Sequence, residues 1–356
     1  MKRTGKFSYL CEVTEGLEFV TEGELKRLGA QVVAQKPGEI DFLYKGDAAS
    51  LLRLKTVQSV SLVQAFDVPR PRALLSNEFL PLIIGQIETV RLLSPPSAYK
   101  TFFVAAAGSE TAIMQRIKEA IAGQTGLTLA DDKGDLGIRI RPNRAGGWET
   151  IMRLSPRPLV TRAWRVCNME GALNAATAHA MIPLTRPQPG DVFVNLGCGS
   201  GTLLIERLTY GACKFALGID RDADNLRCAR ANVEASGHAG KISLQRADMT
   251  RLPLPAASMD VLCADLPFGQ LSGTHAENER LYPRMIAEAA RVARPGARFV
   301  LITHEVKLIE SVLRGSAAWL LEQTIRVNLR GLHPRIYVLS RTAWRATSHM
   351  NRHGAR

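Results

Sequence analysis

The sequence predicts an α/β protein whose C-terminal half is an open, mostly parallel sheet with helices between its strands. Three observations support this prediction. Strand-like segments recur four times between residues 192 and 264. A glycine-rich turn follows the first segment, and an aspartate follows each of the other three within two residues. Such segments are typical of buried parallel strands, and the ligands of these sheets bind at the carboxyl ends of the strands.

The first segment, residues 192–196, leads into Gly197, Gly199 and Gly201, and an amphipathic stretch follows. A strand, a glycine turn and a helix bring backbone N–H groups close to a ligand, because glycine has no Cβ. The glycine spacing is one residue tighter than that of a dinucleotide-binding turn. Taken alone, this window also fits a glycine turn that binds no ligand.

The aspartates after the other segments predict a crevice. Asp220 follows the glycines by about twenty residues, where a doubly wound sheet places the carboxylate that binds ribose hydroxyls. Asp248 and Met249 follow the third segment, and Asp265 follows the fourth. Because the carboxyl ends of parallel strands meet at one edge of the sheet, we expect these side chains to line one crevice.

The motif Asp265-Leu-Pro-Phe268 carries the most chemical information. A carboxylate only accepts hydrogen bonds, and Pro267 fixes the turn so that neighbouring carbonyls point one way. Together they can hold an exocyclic amino group by its N–H donors and leave the nitrogen lone pair facing an electrophile. Phe268 offers a flat apolar face for a base that has been taken out of its helix. The alternative is a tight Pro-Gly turn after a strand.

Composition indicates the class of partner. The chain has 356 residues and a formal charge of +13, which predicts two or three domains and a polyanionic partner, with nucleic acid ahead of an anionic membrane surface. The six cysteines form no C-x-x-C pair, which favours free thiols in a reducing compartment and predicts no metal site. No signal-peptide pattern or span-length apolar run is present. We expect a cytoplasmic monomer with no membrane partner.

Four regions are predicted along the chain. Residues 1–66 have the element order β-α-β-β-α-β, which indicates a ferredoxin-like domain. A basic, proline-containing linker opens a second α+β domain over residues 67–155. Residues 156–344 form the α/β domain, which begins with a helix from Glu170 to Met181 and ends in an antiparallel hairpin. Residues 345–356 are a basic tail.

Six arginines near the end of the second domain are candidate RNA-binding residues. Arginines that alternate along strands can line one face and bind phosphates through paired hydrogen bonds. A solvated basic face is the alternative interpretation. The six are Arg139, Arg141, Arg144, Arg153, Arg157 and Arg162.

The C-terminal half resembles the class I S-adenosylmethionine-dependent methyltransferases, which have a Rossmann-like fold. Their first motif, Asp-x-Gly-x-Gly-x-Gly, stands here as Asn195-Leu-Gly-Cys-Gly-Ser-Gly201. Their amine-binding motif, Asn/Asp-Pro-Pro-Tyr, stands as Asp265-Leu-Pro-Phe268. Residues 159–165, 171–174 and 198–206 and Asn278-Glu-Arg-Leu-Tyr282 further resemble the THUMP-domain RNA guanine-N2 methyltransferases. In those enzymes a ferredoxin-like piece and a THUMP domain precede the catalytic domain.

The resemblance implies a role for each matching residue. The three glycines admit the methionine part of S-adenosylmethionine, Asp220 binds its ribose, and Asp248 and Met249 meet its adenine. The expected cofactor residues are Asn195, Gly197, Gly199, Ser200, Gly201, Thr202, Asp220, Arg221, Asp248, Met249 and Asp265. The expected catalytic residues are Asp265, Pro267 and Phe268, which orient and stack the guanine.

The predicted function is methyl transfer from S-adenosylmethionine to the N2 amine of a guanosine in tRNA, at position 6 of the acceptor stem. A THUMP-like region over residues 67–155 would hold the acceptor end. One alternative keeps the chemistry on ribosomal RNA guanine or DNA adenine, and another is a catalytically silent RNA-binding protein. The silent alternative depends on Asn195, since an amide cannot give the charge-assisted bond to the cofactor ammonium that an acid gives.

Overall fold

The structure, a computed structural model, describes residues 7–267 and 274–342. The chain divides into two compact units. The N-terminal unit comprises the residues up to 162 together with 174–180, and the C-terminal unit comprises 163–173 and the residues from 181 onward. Phe268 and the basic tail at 345–356 lie outside the described residues.

The N-terminal unit begins with the predicted ferredoxin-like order. Its first elements are β1 (Phe7–Val13), α1 (Glu18–Arg27), β2 (Gln31–Lys36), β3 (Glu39–Tyr44), α2 (Ala48–Leu51) and β4 (Val57–Phe66). The strands lie in the order β2-β3-β1-β4, and every neighbouring pair is antiparallel. Asp47 begins α2 as predicted, because its side chain accepts a hydrogen bond from the N–H of Ala49 at 2.9 Å.

The rest of the N-terminal unit continues the same sheet. It contains α3 (Leu80–Arg91), β5 (Thr101–Ala106), α4 (Ala112–Thr125), β6 (Thr128–Leu129), β7 (Leu136–Pro142) and β8 (Trp148–Arg153), with 3-10 turns at Pro71–Leu75 and Pro96–Ala98. Strand β8 pairs with β4, which gives one sheet in the order β2-β3-β1-β4-β8-β7-β5-β6. One apolar core extends from Tyr9 to Leu154. The predicted boundary after residue 66 therefore does not separate two cores in this unit.

The C-terminal unit is the predicted α/β domain. Its elements are β9 (Val192–Leu196), α6 (Thr202–Tyr210), β10 (Phe215–Asp220), α7 (Ala223–Ala235), β11 (Ile242–Arg246), β12 (Met259–Asp265), α8 (His275–Val292), β13 (Ala293–Thr303), α9 (Val306–Arg314), β14 (Trp319–Arg326) and β15 (Arg335–Arg341). The sheet order is β11-β10-β9-β12-β13-β15-β14. Strand β15 alone in this sheet runs antiparallel to its neighbours, which confirms the predicted antiparallel last hairpin.

Helix α5 (Ala175–Leu184) begins later than predicted. The side chain of Asn174 accepts hydrogen bonds from the N–H groups of Ala176 and Thr177 at 2.9 and 3.2 Å, which is the geometry of a helix N-cap. Gly171 is in the left-handed region with φ of 73°. The prediction of a helix from Glu170 is wrong for these first residues, because the turn at Gly171 and the cap at Asn174 place the helix start at residue 175.

The prediction of six free thiols is wrong for two cysteines. Cys167 and Cys228 form a disulfide with their Cα atoms 5.4 Å apart. Their separation of 61 residues resembles no local cysteine motif, so only the fold brings them together. Cys11, Cys198, Cys213 and Cys263 are free. Among the described residues, none of the helices has the length and apolar character that a membrane span requires.

Candidate active site

A cavity of about 470 Å³ lies in the C-terminal unit, next to the carboxyl ends of its central strands. Strand β9 has β10 on one side and β12 on the other, so the cavity sits where the strand order reverses, the usual ligand site of an open α/β sheet. This volume is within the range of small-molecule sites. Predicted residues that line it are Asn195, Gly197, Gly199, Ser200, Thr202, Asp220, Arg221, Asp248, Met249, Asp265 and Pro267.

The glycine turn after β9 depends on left-handed backbone. Gly197, Gly199 and Gly201 have φ of 63°, 51° and 81°, values that other residues rarely adopt. A Cβ on Gly197 would lie 2.8 Å from Cε of Met249, the flexible end of that side chain, so the backbone conformation rather than space favours glycine there. Gly201 does not line the cavity: it caps the start of α6, and a Cβ there would contact Ala229 at 3.4 Å. That distance is ordinary contact, so the left-handed backbone rather than space favours glycine at this position.

Asp220 connects the glycine turn to the end of β10. Its Oδ2 accepts the N–H of Gly199 at 2.9 Å. Its Oδ1 accepts the N–H of Asp222 at 3.0 Å and Nδ2 of Asn225 at 3.2 Å. The side chain is therefore buried and fixed. A carboxylate has about four lone-pair positions, and hydrogen bonds from the described residues use three of them.

Two further predicted residues lie on the wall after β11. Asp248 accepts the N–H of Thr250 at 2.7 Å, and this backbone hydrogen bond holds the pKa of the Asp248 carboxyl below its ordinary value. Met249 places its methyl group beneath Gly197. Arg221 is exposed and lines the cavity.

Asn195 connects two strands at the floor of the cavity. It is buried, and its Nδ2 donates to the carbonyl of Cys263 on β12 at 3.2 Å. Since that carbonyl only accepts, the amide nitrogen faces β12 and the amide oxygen faces away from that carbonyl. Asn195 thus offers a neutral acceptor where the resembling enzymes carry an acid.

Asp265, at the end of β12, is the least satisfied carboxylate of the site. Its Oδ1 is buried and has no hydrogen-bond partner among the described residues. Burial raises the pKa of the Asp265 carboxyl from 3.8 to about 7, because the charged form loses its hydration. An acceptor kept in this state is suited to a ligand that brings N–H donors.

Pro267 is held by two residues of α8. Its carbonyl oxygen accepts Nδ2 of Asn278 at 3.2 Å and the hydroxyl of Tyr282 at 2.8 Å. The Tyr282 hydroxyl also lies 2.7 Å from Oγ1 of Thr303. The start of α8 is also fixed, because Thr274 and Glu277 form a capping box there. Sequence reasoning quoted Asn278 and Tyr282 as part of a family motif but assigned them no role.

One further segment that lines the cavity was not predicted to do so. It is the irregular segment 169–173, part of the stretch that had been expected to be helical. Arg165 fixes this segment by donating to the carbonyl of Leu173 at 3.0 Å and to Oγ1 of Thr202 at 2.9 Å. Asn232 on α7 donates to the carbonyls of Cys167 and Ser200, each at 3.0 Å. These contacts join residues far apart in sequence, so no local pattern indicates them.

The candidate RNA-binding arginines are mostly occupied by partners within the N-terminal unit. Arg139 contacts the carboxylates of Glu12 and Glu39. Arg141 donates to Glu149 at 2.7 Å and to Glu39 at 3.2 Å. The two side chains therefore form an ion-pair network that spans several strands of one sheet, and they do not present an open row of guanidinium groups.

Arg153 and Arg162 are also engaged. Each donates to backbone carbonyls of its own unit at 2.6 Å, and Arg162 is buried. Arg139, Arg141, Arg153 and Arg162 thus have partners within the fold, and phosphate binding by them stays a prediction. Arg144 and Arg157 are exposed, and a role in phosphate binding remains a prediction for them.

The described residues contain no cluster of three or more His, Cys, Asp or Glu side chains suited to hold a metal ion.

Known proteins resemble this chain in two ways. Residues 162–335 match the family model described as UPF0020, RMKL-like, methyltransferase domain. Two Bos taurus relatives match part of the chain. They are tRNA (guanine(6)-N(2))-methyltransferase THUMP3, 34% identical over 185 residues, and U6 snRNA (guanine-N(2))-methyltransferase THUMPD2, 32% identical over 148 residues. These matches cover 48% and 42% of this chain but 36% and 28% of the relatives. The chain thus spans about a third of the length of the curated relatives it matches.

The crystal structure of TrmN from Thermus thermophilus shares the fold of nearly the whole chain. The TM-score is 0.75 at 23% sequence identity, and the match covers 94% of this chain and 99% of that one. The strand order, the glycine turn and the family match agree. Residues 162–335 are therefore similar to the RMKL-like methyltransferase domain, and the chain has the fold of TrmN.

Proposed function

We propose that this protein transfers a methyl group from S-adenosylmethionine to the exocyclic N2 amine of a guanosine in RNA, with tRNA as the substrate. The observation that carries the proposal is the buried, unpartnered carboxylate oxygen of Asp265 at the end of β12. A primary amine with N–H donors is a chemical group that such an acceptor can hold.

The cavity residues fit the cofactor. The nearest side-chain atom to a Cβ on Gly199 would be Cε of Met169 at 4.0 Å, so a ligand can approach the backbone of this turn closely. Asp220 keeps one lone-pair position for a ribose hydroxyl at the end of β10. Asn195 supplies a neutral acceptor for the ammonium group, which supports binding that is weaker than with a carboxylate.

The bound cofactor would supply an electrophilic methyl group. The side chain of Asp265 would accept a hydrogen bond from the guanine amine and so orient its nitrogen. As that nitrogen bonds the methyl group released by the cofactor sulfur and gains positive charge, the Asp265 carboxylate would stabilise the charge and accept the proton that the nitrogen then loses. Asn278 and Tyr282 would keep the turn at Pro267 rigid, so that the acceptor does not move during the reaction.

The choice of substrate is supported by the relatives. The Bos taurus THUMP3 protein is named for tRNA guanine at position 6, and THUMPD2 for U6 snRNA guanine. Both names share guanine N2 and differ in the RNA. Position 6 of tRNA is therefore the first substrate to test, with a THUMP-like role for residues 67–155 as part of the same proposal. Ribosomal RNA guanine is the second.

The proposal is tested by methyl transfer from labelled S-adenosylmethionine. Unmodified tRNA, U6 snRNA, ribosomal RNA and duplex DNA are offered separately, and the labelled nucleoside is identified by mass. We expect N2-methylguanosine from tRNA. Label on adenosine would overturn the guanine assignment, and absence of label together with absence of cofactor binding would indicate a silent RNA-binding protein.

A further inference from the structure

We propose that Asn278 selects guanine over other bases by accepting a hydrogen bond from the base N1–H, next to Asp265. This inference rests on the proposed function and deepens it, because it assigns base specificity to a residue outside the motif that ends β12. It follows from the direction of one amide group, from its burial in the cavity wall and from the donor pattern of guanine.

The direction of the Asn278 amide is set by its neighbours. Its nitrogen lies 3.2 Å from the carbonyl oxygen of Pro267 and 3.4 Å from Oε1 of Glu305. Both partners are acceptors, so the atom that faces them must be the N–H₂ group. The amide oxygen consequently points away from both acceptors.

That oxygen has no hydrogen-bond partner in the described ranges 7–267 and 274–342. Asn278 is 1% exposed, and its Oδ1 is a buried acceptor without a hydrogen bond among the described residues. The residue lines the same cavity as Asp265. Leaving a buried acceptor unpaired costs about 1–3 kcal/mol, and natural structures usually avoid this. A ligand donor that enters the cavity would remove the penalty.

The two unpaired oxygens match the edge of guanine. Guanine presents its N1–H beside its N2 amine, which is a row of donors with no acceptor between them. Adenine and cytosine each present a ring nitrogen acceptor beside their amine. With those bases the Asn278 oxygen would face a lone pair and stay unpaired, and sites built to pair a ligand N–H discriminate strongly against analogues that lack it.

The test compares guanosine with 2-aminopurine at the target position of one RNA. 2-Aminopurine keeps the N2 amine but has no hydrogen on N1. The wild-type kcat/KM should favour guanosine, and N278A should shrink that preference by about 10- to 100-fold, mainly through loss of activity on guanosine. The base analogue also lacks the O6 oxygen, but this loss affects both enzymes and cancels in the double comparison.

Y282F is the matched control. It removes the other hydrogen bond to the carbonyl of Pro267 and leaves the Asn278 oxygen in place. It should lower the rates on both bases and keep their ratio. N278D retains an acceptor oxygen and should keep the preference for guanosine at reduced turnover, and cofactor affinity should be unchanged in every variant.

The outcomes separate the two proposals. If N278A prefers guanosine as strongly as the wild type does, the inference is overturned while the proposed function stands. The same holds if Y282F loses as much of this preference as N278A does. If N278A does not fold, N278S is measured in its place with the same criterion. A wild-type protein that methylates no guanosine overturns the proposed function, and the inference with it.

Discussion

The arginine network of the N-terminal unit and the cavity of the C-terminal unit both contain polar side chains, but the two sets differ in how many hydrogen-bond partners they have within the described residues. In the N-terminal sheet, Arg139 and Arg141 meet the carboxylates of Glu12, Glu39 and Glu149. In the cavity, Asp265 and Asn278 each keep a buried oxygen that has no hydrogen-bond partner in the described part of the chain.

This difference distinguishes groups that hold the fold from groups that serve a ligand. A buried polar atom without a partner destabilises the folded chain, so folding alone gives no reason to keep it. An ion pair within one sheet requires no ligand and contributes modestly to stability. The arginines are charged and numerous in the sequence, whereas the unpaired oxygens belong to a less conspicuous acid and amide in the part of the chain that the structure describes.

The largest expected effect is on turnover when Asp265 is removed. D265A should lower kcat by about 10²- to 10³-fold, the loss typical when one preorganised hydrogen-bonding group is removed from a charge-developing site. S-adenosylmethionine affinity, measured by calorimetric titration, should change little. A D265A protein with wild-type turnover would contradict the role assigned to the carboxylate.

The pH dependence of the reaction sharpens the contrast. Asp265 has a pKa of about 7, and the ionised form is the better acceptor and charge stabiliser. Below pH 7 the ionised fraction, and with it kcat/KM, should therefore fall about tenfold per pH unit. A pH series of wild-type methyl-transfer rates checks this. A wild-type profile that is flat between pH 5.5 and 7.5 would mean that the carboxylate does not titrate in this range.

The smallest expected effect concerns Arg141. R141A should lower the free energy of unfolding by about 1 kcal/mol, because two partly buried ion pairs are lost. It should leave the salt dependence of RNA binding unchanged, since its guanidinium is already engaged with Glu39 and Glu149. The exposed Arg157 is the comparator.

If Arg157 binds a phosphate, R157A should reduce the slope of log K against log salt by about 0.7 to 0.9, without an effect on stability. A reduced slope in R141A would show that the network opens when RNA binds, and the contrast between the two regions would fail.

The elements with local signals were predictable. The strands that end in the glycine turn, Asp220 and Asp265 have hydrophobic patterns that depend only on neighbouring residues, and they lie where expected. The pairing of β4 with β8 and the disulfide between Cys167 and Cys228 were not predictable, because both join segments that are distant in sequence.

The same limit applies to the site. Asp220 and Asp265 were predicted from their places after strands. Asn278 was not assigned a role, because its function depends on the Pro267 carbonyl and Glu305 turning its amide. The helix expected from Glu170 begins later in the structure. Gly171 has a left-handed backbone conformation, which a helix through this residue could not have.

The most direct test of the account uses D265N, in which unfolding and methyl transfer are measured on the same preparation. Since the pKa of Asp265 rises on folding from an ordinary 3.8 to about 7, its ionisation should destabilise the wild-type fold increasingly from pH 5 to pH 8. The change to asparagine removes that charge.

The free energy of unfolding of D265N minus that of the wild type should therefore rise by on the order of 2 kcal/mol from pH 5 to pH 8. D265N should also lose methyl transfer. Other titrating groups are shared by the two proteins and cancel. A stability difference that does not vary with pH, or a D265N protein that methylates RNA at the wild-type rate, would contradict the claim that this carboxylate is kept unpaired for its substrate.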